Sequence, residues 1–566
     1  MPVVSRILRI SVVLVSLAWS GLAGAQPVLL TGRDLGIPDV VRVARHGAAV
    51  AIAPEARARA ETAYLVLLAA AAADMPVYGL NRGVGSMRQV RVLQGDVVNP
   101  EIRRLSEAFN RAMLLSHSQS AGPEASEAVV RATMLVRLNS ALSGGAALRP
   151  EWLDGYAAFL NRGIHPVLRS RGSIGEGDIF INPAIGLAMM GLGEVTVRGV
   201  RKPAAEALRE AGLTPLVPFG KDALGLLSNN AYAAGLAALA AADAAELLDR
   251  ADQVYALSLE ALNGNVAPLL ASTISTRPFP ENADAAARLR ALLDGSYLWQ
   301  PHQRFLQGPL SFRDTSQVHG AVRAQLAVLE RRLAVQLNAS DDNPTVLIEA
   351  EPPADASAQE RSYYVAGTVM GRHVRGAVLP SAHFEPILWT LDLQALGVSL
   401  SHLANHAMQR GNRLASGQFT PDVGLTPDEQ AAGAGIATGW KTSDSLFAEL
   451  VMLTTPVSVR VLPSARDIED VGTNAPLVAR RVLEIIDLTH RILGIELLVA
   501  AQLVDARLRA TPSLPLGAGT RPLLAALRGS VPFLAPGRAP SDAVEASYRL
   551  LRGPLAQASD RAFTPQ

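Results

Sequence analysis

Apolar residues recur at three- and four-residue spacing through much of the chain, which predicts long amphipathic helices. Residues 231–248 read AYAAGLAALAAADAAELL, an Ala-rich run interrupted by Asp243 and Glu246. Small side chains at that density let helices approach closely, and the two acids argue against a membrane span, so the run predicts the core of a soluble bundle. Helical spacing also covers residues 55–73, 125–142, 317–337, 387–411, 444–453 and 476–507. Strand-like alternation is scarce, with one short pair expected around residues 194–200. Pro and Gly cluster at 263–282, 349–360 and 511–537, which read as loops or boundaries. The expected fold class is mainly α, with the longest helices in the middle of the chain and no internal repeat.

A chain of 566 residues exceeds one compact core. The expected division is an N-terminal domain at 26–220, a central helical bundle at 221–480 and a C-terminal helical region at 481–566. The formal charge is +1, which gives no reason to expect nucleic acid or an anionic membrane as partner. There is no Cys, which excludes disulfides, thiolate catalysis and Cys-ligated metals, and no metal site is expected. Residues 1–25 stand apart: Arg6 and Arg9, then an apolar run from Ile10 to Leu22, then Ala23-Gly24-Ala25 before Gln26. That is the layout of a secretory signal. The alternative is a membrane anchor, but the run is short for a span. The expectation is a cleaved signal, a periplasmic mature protein and no membrane association afterwards.

Several stretches hold polar residues where Gly or irregular spacing makes core packing a poor explanation. MPVYGLNRGVG, residues 75–85, surrounds Tyr78, Asn81 and Arg82 with Pro and Gly. A tyrosine there is a candidate base if a cation lowers its pKa from about 10; the alternative is a tyrosine that covers a loop. LLSHSQ carries His117, by itself more often structural than catalytic. LQGPLSFRDTSQVHG, residues 306–320, places Gln307 and Arg313 before a helix. Arg313 is suited to a carboxylate fork or to a helix-start ion pair. ARDIEDVGTN, residues 465–474, offers Glu469 and Asp470, downstream of Trp440 and Lys441 in GWKTSD. They are candidates for acid–base work, or solvated surface charge. RGSIGEGDIF, residues 171–180, is a Gly-rich loop before a helix-like run.

Taken in order, these stretches resemble the aromatic amino acid lyase family, the histidine, phenylalanine and tyrosine ammonia-lyases and related aminomutases. YGLNRGVG is similar to the family's Tyr-Gly-x-Asn-Thr-Gly-Phe-Gly. LLSHS, the approach LNRGIHPVLRSRGSIG, SFRDTSQVHGA, QLNASDDNP and IEDVGTN match further family motifs, over about four hundred residues. The resemblance implies the all-α fold shared with fumarase and aspartase, a homotetramer, and active sites drawn from three subunits. It implies a small-molecule substrate, Tyr78 as the base for the β-proton, and Arg313 as the carboxylate clamp. His117, Gln307 and Glu469 would line the ring and amine pocket.

The chain departs from the family at the loop that forms its electrophile. Relatives carry Gly-Ala-Ser-Gly-Asp there, and the Ala-Ser-Gly triad cyclises to a methylidene-imidazolone. Here the loop reads Gly175-Glu176-Gly177-Asp178. It has no serine to dehydrate at the triad, and Ser173 is followed by Ile174. Ala415-Ser416-Gly417 lies far along the chain and reads as a chance match. The neighbours differ too: Ser228-Asn229-Asn230 replaces Asn-Gly-Thr, so Ser228 or Asn230 would take the contacting position, Arg82 replaces a Thr, Trp440-Lys441 replaces Gln-Tyr, and the Asn-Phe-His-Gly stretch is blurred at SAHFEP. The expectation is therefore no methylidene-imidazolone cofactor.

Without the electrophile a substrate must bring its own leaving group. A trimethylammonium does so, because it departs as a neutral amine. The resemblance then extends to the ergothionase branch, which eliminates trimethylamine from ergothioneine. Trp440 would face the cation, Lys441 or Glu469 the ring, and Arg82 or Lys441 would lower the Tyr78 pKa. Two alternatives remain: an ammonia-lyase or aminomutase acting on an ordinary aromatic amino acid such as histidine, and an inactive periplasmic relative that binds an amino acid or betaine.

Overall fold

The computed structural model describes residues 26–94, 99–301, 303–420, 423, 439–459, 462–534 and 539–553. The expected signal at 1–25 lies outside the described residues. Three long helices, Ala231–Leu262, Ile387–Ala415 and Ala475–Ala510, pack along one another, and Thr315–Gln336 joins them. The Ala-rich run is the first of these, extended by fourteen residues beyond its expected end at 248 to Leu262. Its close packing is visible at Gly235, where a Cβ would sit 3.2 Å from the backbone of Ala132 in the neighbouring helix Glu127–Leu142. Asp243, which interrupts the apolar run, pairs with Arg45 at 2.6 Å. Among the described residues the stretch Asp222–Leu262 is long and apolar enough to cross a membrane, but 83% of its apolar segment is buried inside the protein. That burial marks a core helix.

A buried ion pair ties the three helices together. Arg410 donates to both oxygens of Glu496, at 2.6 and 2.9 Å, and Ser258 donates to the same carboxylate at 2.7 Å. Both charged side chains are fully buried, so each is compensated by the other and by added hydrogen bonds.

The N-terminal third adds the helices Ile37–His46, Pro54–Ala72, Pro100–His117, Glu127–Leu142 and Pro150–Arg162, with small sheets between them. Pro at the start of four of them (Pro54, Pro100, Pro150 and, at the second position, Pro38) suits a first turn that lacks intrahelical donors anyway. The expected strand pair is the hairpin Glu194–Val197 and Val200–Pro203, closed by Arg198-Gly199 with φ of 50° and 77°, the left-handed pair that a tight hairpin needs. A three-stranded antiparallel sheet, Thr345–Ile348, Arg372–Leu379 and Tyr364–Val369 in that order, covers the apolar face of Pro54–Ala72. Residues 511–537, expected as loop, contain the helix Thr520–Ser530. Its Pro522 falls within the first turn, where proline is tolerated.

Candidate active site

The loop 172–178 is fixed by backbone conformation and by three other segments. Gly172, Gly175 and Gly177 have φ of 127°, 89° and 83°. A Cβ on Gly175 would lie 2.4 Å from Thr473 Oγ1 and 2.6 Å from the Asn474 amide nitrogen, so only glycine permits this approach. Thr473 Oγ1 donates to the Gly175 carbonyl at 3.2 Å, and the Asn474 amide donates to the Ile174 carbonyl at 2.7 Å. On the other side the Gly177 amide donates to Asn230 Oδ1 at 2.9 Å, and the Asn229 amide to the Gly177 carbonyl at 2.8 Å.

The same contacts cap the longest core helices. Asp178, non-glycine at φ 45°, accepts from Ser173 Oγ at 2.6 Å and from the Ala233 amide at 2.9 Å. Ala233 is the third residue of its helix, so Asp178 satisfies an N-terminal amide from outside. Asp341 accepts from the Asn230 amide at 2.7 Å. Burial first, then the Asp341 charge, pushes the Asp178 carboxyl up to about 7, against the hydrogen bonds and Arg480. The Asn230 side chain shapes the loop: its Oδ1 holds Gly177 and its Nδ2 donates to the Phe384 carbonyl at 2.6 Å. Ser228 borders the same turn, its Oγ 3.1 Å from where a Cβ on Gly177 would stand.

Glu176 is the loop's central side chain. It meets Glu385, which sequence reasoning did not single out. Burial, then the charge of Glu385 and a hydrogen bond with it, pushes the Glu176 carboxyl up to about 9, while the Thr473 amide pulls it down. Glu176 therefore keeps its proton at pH 7. The signal available was the altered SAHFEP stretch, whose Glu385 meets Glu176 and whose Phe384 carbonyl is held by Asn230. His117 ends the helix Pro100–His117 and packs its ring 6.0 Å from that of Phe180, at the loop's far end.

Tyr78 lies on the Gly-rich turn 77–85. Asn81 shapes it by accepting from the Val77 amide and donating to the Met75 carbonyl, each at 2.8 Å. The Tyr78 hydroxyl oxygen accepts from the Gly85 amide at 2.7 Å, a contact that favours the phenolate. Burial first, and the nearby Glu469 carboxylate, nevertheless hold the phenol above its ordinary value; Arg88 pulls it down. The expected lowering by Arg82 or Lys441 is thus corrected on two counts: the shift is upward, and the contributing cation is Arg88. Arg82 bridges the two ends of the turn through its backbone, and its Nη1 is buried without a hydrogen-bond partner. Glu469 closes a tight turn in which Ser464 Oγ donates to it at 2.8 Å. Ala465, Arg466 and Asp467 between them all have positive φ, of 51°, 56° and 60°, a costly backbone for residues with a Cβ. Asp470 is exposed.

Two expected groups stand elsewhere. Arg313, at the end of the turn Leu310–Arg313, donates to Gln307 Oε1, so these two are brought together. Among the described residues no hydrogen bond or ion pair joins Arg313 to Tyr78, His117 or the 175–178 loop. Trp440 and Lys441 open the helix Trp440–Leu453 and are exposed, with Lys441 Nζ 5.7 Å from the centre of the Trp440 ring. That ring thus already has a cation from its own chain. Ala415-Ser416-Gly417 is an ordinary helix end: Ser416 donates to the Arg413 carbonyl and Gly417 takes a left-handed φ of 70°.

The profile of the aromatic amino acid lyase family matches residues 35–529. The chain belongs to the aromatic amino acid lyase family. Members of this family are carbon–nitrogen lyases, and this chain is an enzyme of that type. A histidine ammonia-lyase of Sorangium cellulosum is 34% identical over 548 residues, covering 95% of this chain and 100% of its own. The crystal structure of ergothionase from Treponema denticola, in complex with desmethyl-ergothioneine sulfonic acid, is 32% identical with a TM-score of 0.81, over 93% of this chain and 99% of that one. A tyrosine aminomutase from Streptomyces globisporus is 27% identical with a TM-score of 0.79, over 93% and 97%. The long-helix fold is the one these lyases share.

Within this family the 175–177 loop does not fit the methylidene-imidazolone. Gly175, Glu176 and Gly177 supply no hydroxyl to lose as water. Ser173, the loop's one hydroxyl, is held against Asp178 and is followed by Ile174.

Proposed function

We propose that this lyase eliminates trimethylamine from a histidine-type betaine such as ergothioneine, and does so without a methylidene-imidazolone. The observation that carries the reading is the loop itself, where Glu176 alone stands between Gly175 and Gly177 and no serine is present to dehydrate. The likeness to ergothionase supports it. An electrophile makes a poor amine leaving group leave. A quaternary ammonium already carries its charge and departs with the bonding electron pair as neutral trimethylamine. Tyr78, as phenolate, takes the β-proton; the C–H electrons form the new C=C bond while the C–N bond breaks. The Gly85 amide stabilises that phenolate, and a bound cation favours it further. Arg313, with Gln307, holds the carboxylate through a fork.

The same reading includes export by the signal at 1–25 and assembly as a homotetramer, so that Arg313 of one subunit serves Tyr78 of another. Periplasmic localisation is checked by the mature N-terminus, expected at Gln26.

The test is to incubate the mature protein with ergothioneine, hercynine and histidine separately, recording the ultraviolet spectrum and the amine released. A conjugated product with trimethylamine supports the reading, and comparison of the first two substrates shows whether the sulfur matters. Ammonia from histidine overturns it in favour of the second reading, an ammonia-lyase, which the histidine ammonia-lyase relatives favour. No product from any of the three leaves a binding role.

A further inference from the structure

The carboxyl pair Glu176–Glu385 has features that the elimination chemistry alone does not explain. The residues flanking Glu176 are clamped, Ile174 and Gly175 by Asn474 and Thr473 and Gly177 by Asn229 and Asn230. Glu385 is fixed as well: its Oε1 accepts from the Ile387 amide at 2.9 Å, and its own amide donates to the Ala382 carbonyl. Two rigid mounts hold the two carboxyls against each other, with Asn230 tying Gly177 to the Phe384 carbonyl beside them. Ionised carboxylates only accept, so such a contact requires one proton between the two.

Neither carboxyl forms an ion pair with a Lys, Arg or His among the described residues. Glu176 Oε1 is shut off from solvent and receives no donor from the protein. The charged groups facing the pair are mostly of its own sign. Asp178 lies on the same loop, and Asp341 lies behind it at the Asn230 amide. The cation on this side, Arg480 of the helix Ala475–Ala510, acts on Asp178 and Tyr232, and donates to the Ser170 carbonyl at 2.6 Å. The Thr473 amide contributes a dipole, not a charge. Among the described residues of one chain, the pair of acids is thus rigid, partly buried and without a cation.

We propose that Glu176 and Glu385 are the anionic counterpart of the substrate's quaternary nitrogen: they share one proton in the empty site and release it to solvent when the fixed cation binds. The inference rests on the betaine reading above. The step balances: the singly charged pair plus a cation gives a doubly charged pair with the cation, and one proton goes to the buffer. A quaternary ammonium cannot supply a hydrogen bond, so charge is its handle, and a second negative charge created on binding strengthens the contact. The position of the Glu176 proton, retained up to about pH 9 in the empty site, sets the range in which release is visible.

The test is calorimetric titration of ergothioneine into the Tyr78→Phe protein, which removes the phenol as a proton source and blocks turnover. Running it in two buffers of different ionisation enthalpy gives the proton count. The expected result is close to one proton released per site at pH 7.5, falling toward zero above about pH 9 as the empty pair ionises by itself. Glu176→Gln, whose amide can replace the shared proton, is expected to fold normally and to release none. Its binding should weaken roughly tenfold or more. Glu385→Gln should do the same. Trimethylamine release by the wild-type enzyme together with zero proton release on binding overturns this inference and leaves the betaine reading standing. Failure of the protein to bind or convert any betaine overturns both.

Discussion

Asp178 is completely buried, and its carboxyl titrates near 7 instead of the 3.8 of an exposed aspartate. A raised carboxyl pKa means that the folded chain holds a proton which the unfolded chain has lost. Its contribution to stability is full below about pH 4 and is lost as pH rises through 7. Asp178→Asn keeps both hydrogen-bonding partners and cannot ionise. The stability of this variant relative to wild type should therefore climb from pH 4 to pH 7, by on the order of 1–4 kcal/mol, in denaturant titrations at a series of pH values. A difference that stays constant across that range would show Asp178 to be ionised in the fold. Tyr78 predicts a different signature. Tyr78→Phe removes the base and little else, so kcat should fall by about 10²–10⁴-fold while ergothioneine binding is retained; full turnover would exclude Tyr78 as the base. Tyr78, Glu469 and the loop acids stand out in the sequence because Gly and Pro around them forbid ordinary packing. Glu385 was not, because its importance arises only when residue 385 is folded against residue 176. The direction of the Tyr78 shift was not legible either, since burial outweighs the nearby cation and burial has no local signature.

Among the elements, the reactive loop and the chance Ala-Ser-Gly give a matched comparison. Gly175 and Gly417 both have positive φ, of 89° and 70°. A Cβ on Gly175 would collide with Thr473 and Asn474, whereas one on Gly417 meets nothing within 4 Å. Gly417→Ala should cost about 1 kcal/mol and leave activity intact. Gly175→Ala should undock the loop, with a loss of roughly 1–3 kcal/mol and a far larger loss of elimination rate. Thermal melts and rate measurements on both variants check this, and equal loss of activity in the two would sink the assigned role of the loop. Long helices such as Ile387–Ala415 were legible because their apolar spacing repeats over many turns. The helix Thr520–Ser530 was not, because Gly517, Gly519 and Pro522 read as a loop when they in fact begin a helix. Most of the shortest strands were missed because three or four residues are too few to show an alternation; the longer Tyr364–Val369 and Arg372–Leu379 were not singled out either.

For the whole molecule, the decisive feature is what one chain leaves unfinished. Tyr78 and Arg313 stand at separate places, yet in the proposed function β-proton removal and carboxylate binding act on one small substrate. The helix Ile387–Ala415 exposes Leu388, Leu391 and Val398 on one side, and Trp440–Leu453 exposes Val451 and Met452. Large apolar residues on one face of a core helix mark an association surface. A second copy is the occupant that would also bring Arg313 to Tyr78. On the proposed reading ultracentrifugation should report four chains, and Leu391→Glu should give smaller species with little activity. The sharper prediction uses complementation. Tyr78→Phe and Arg313→Ala should each be inactive alone. Co-expressed in equal amounts, they assemble at random, and a site that takes its tyrosine from one chain and its arginine from another is intact in about one quarter of cases. Activity near that fraction of wild type requires the two residues to come from different subunits. If both came from the same chain, every site would carry one lesion, and the mixture would be as inactive as its parts.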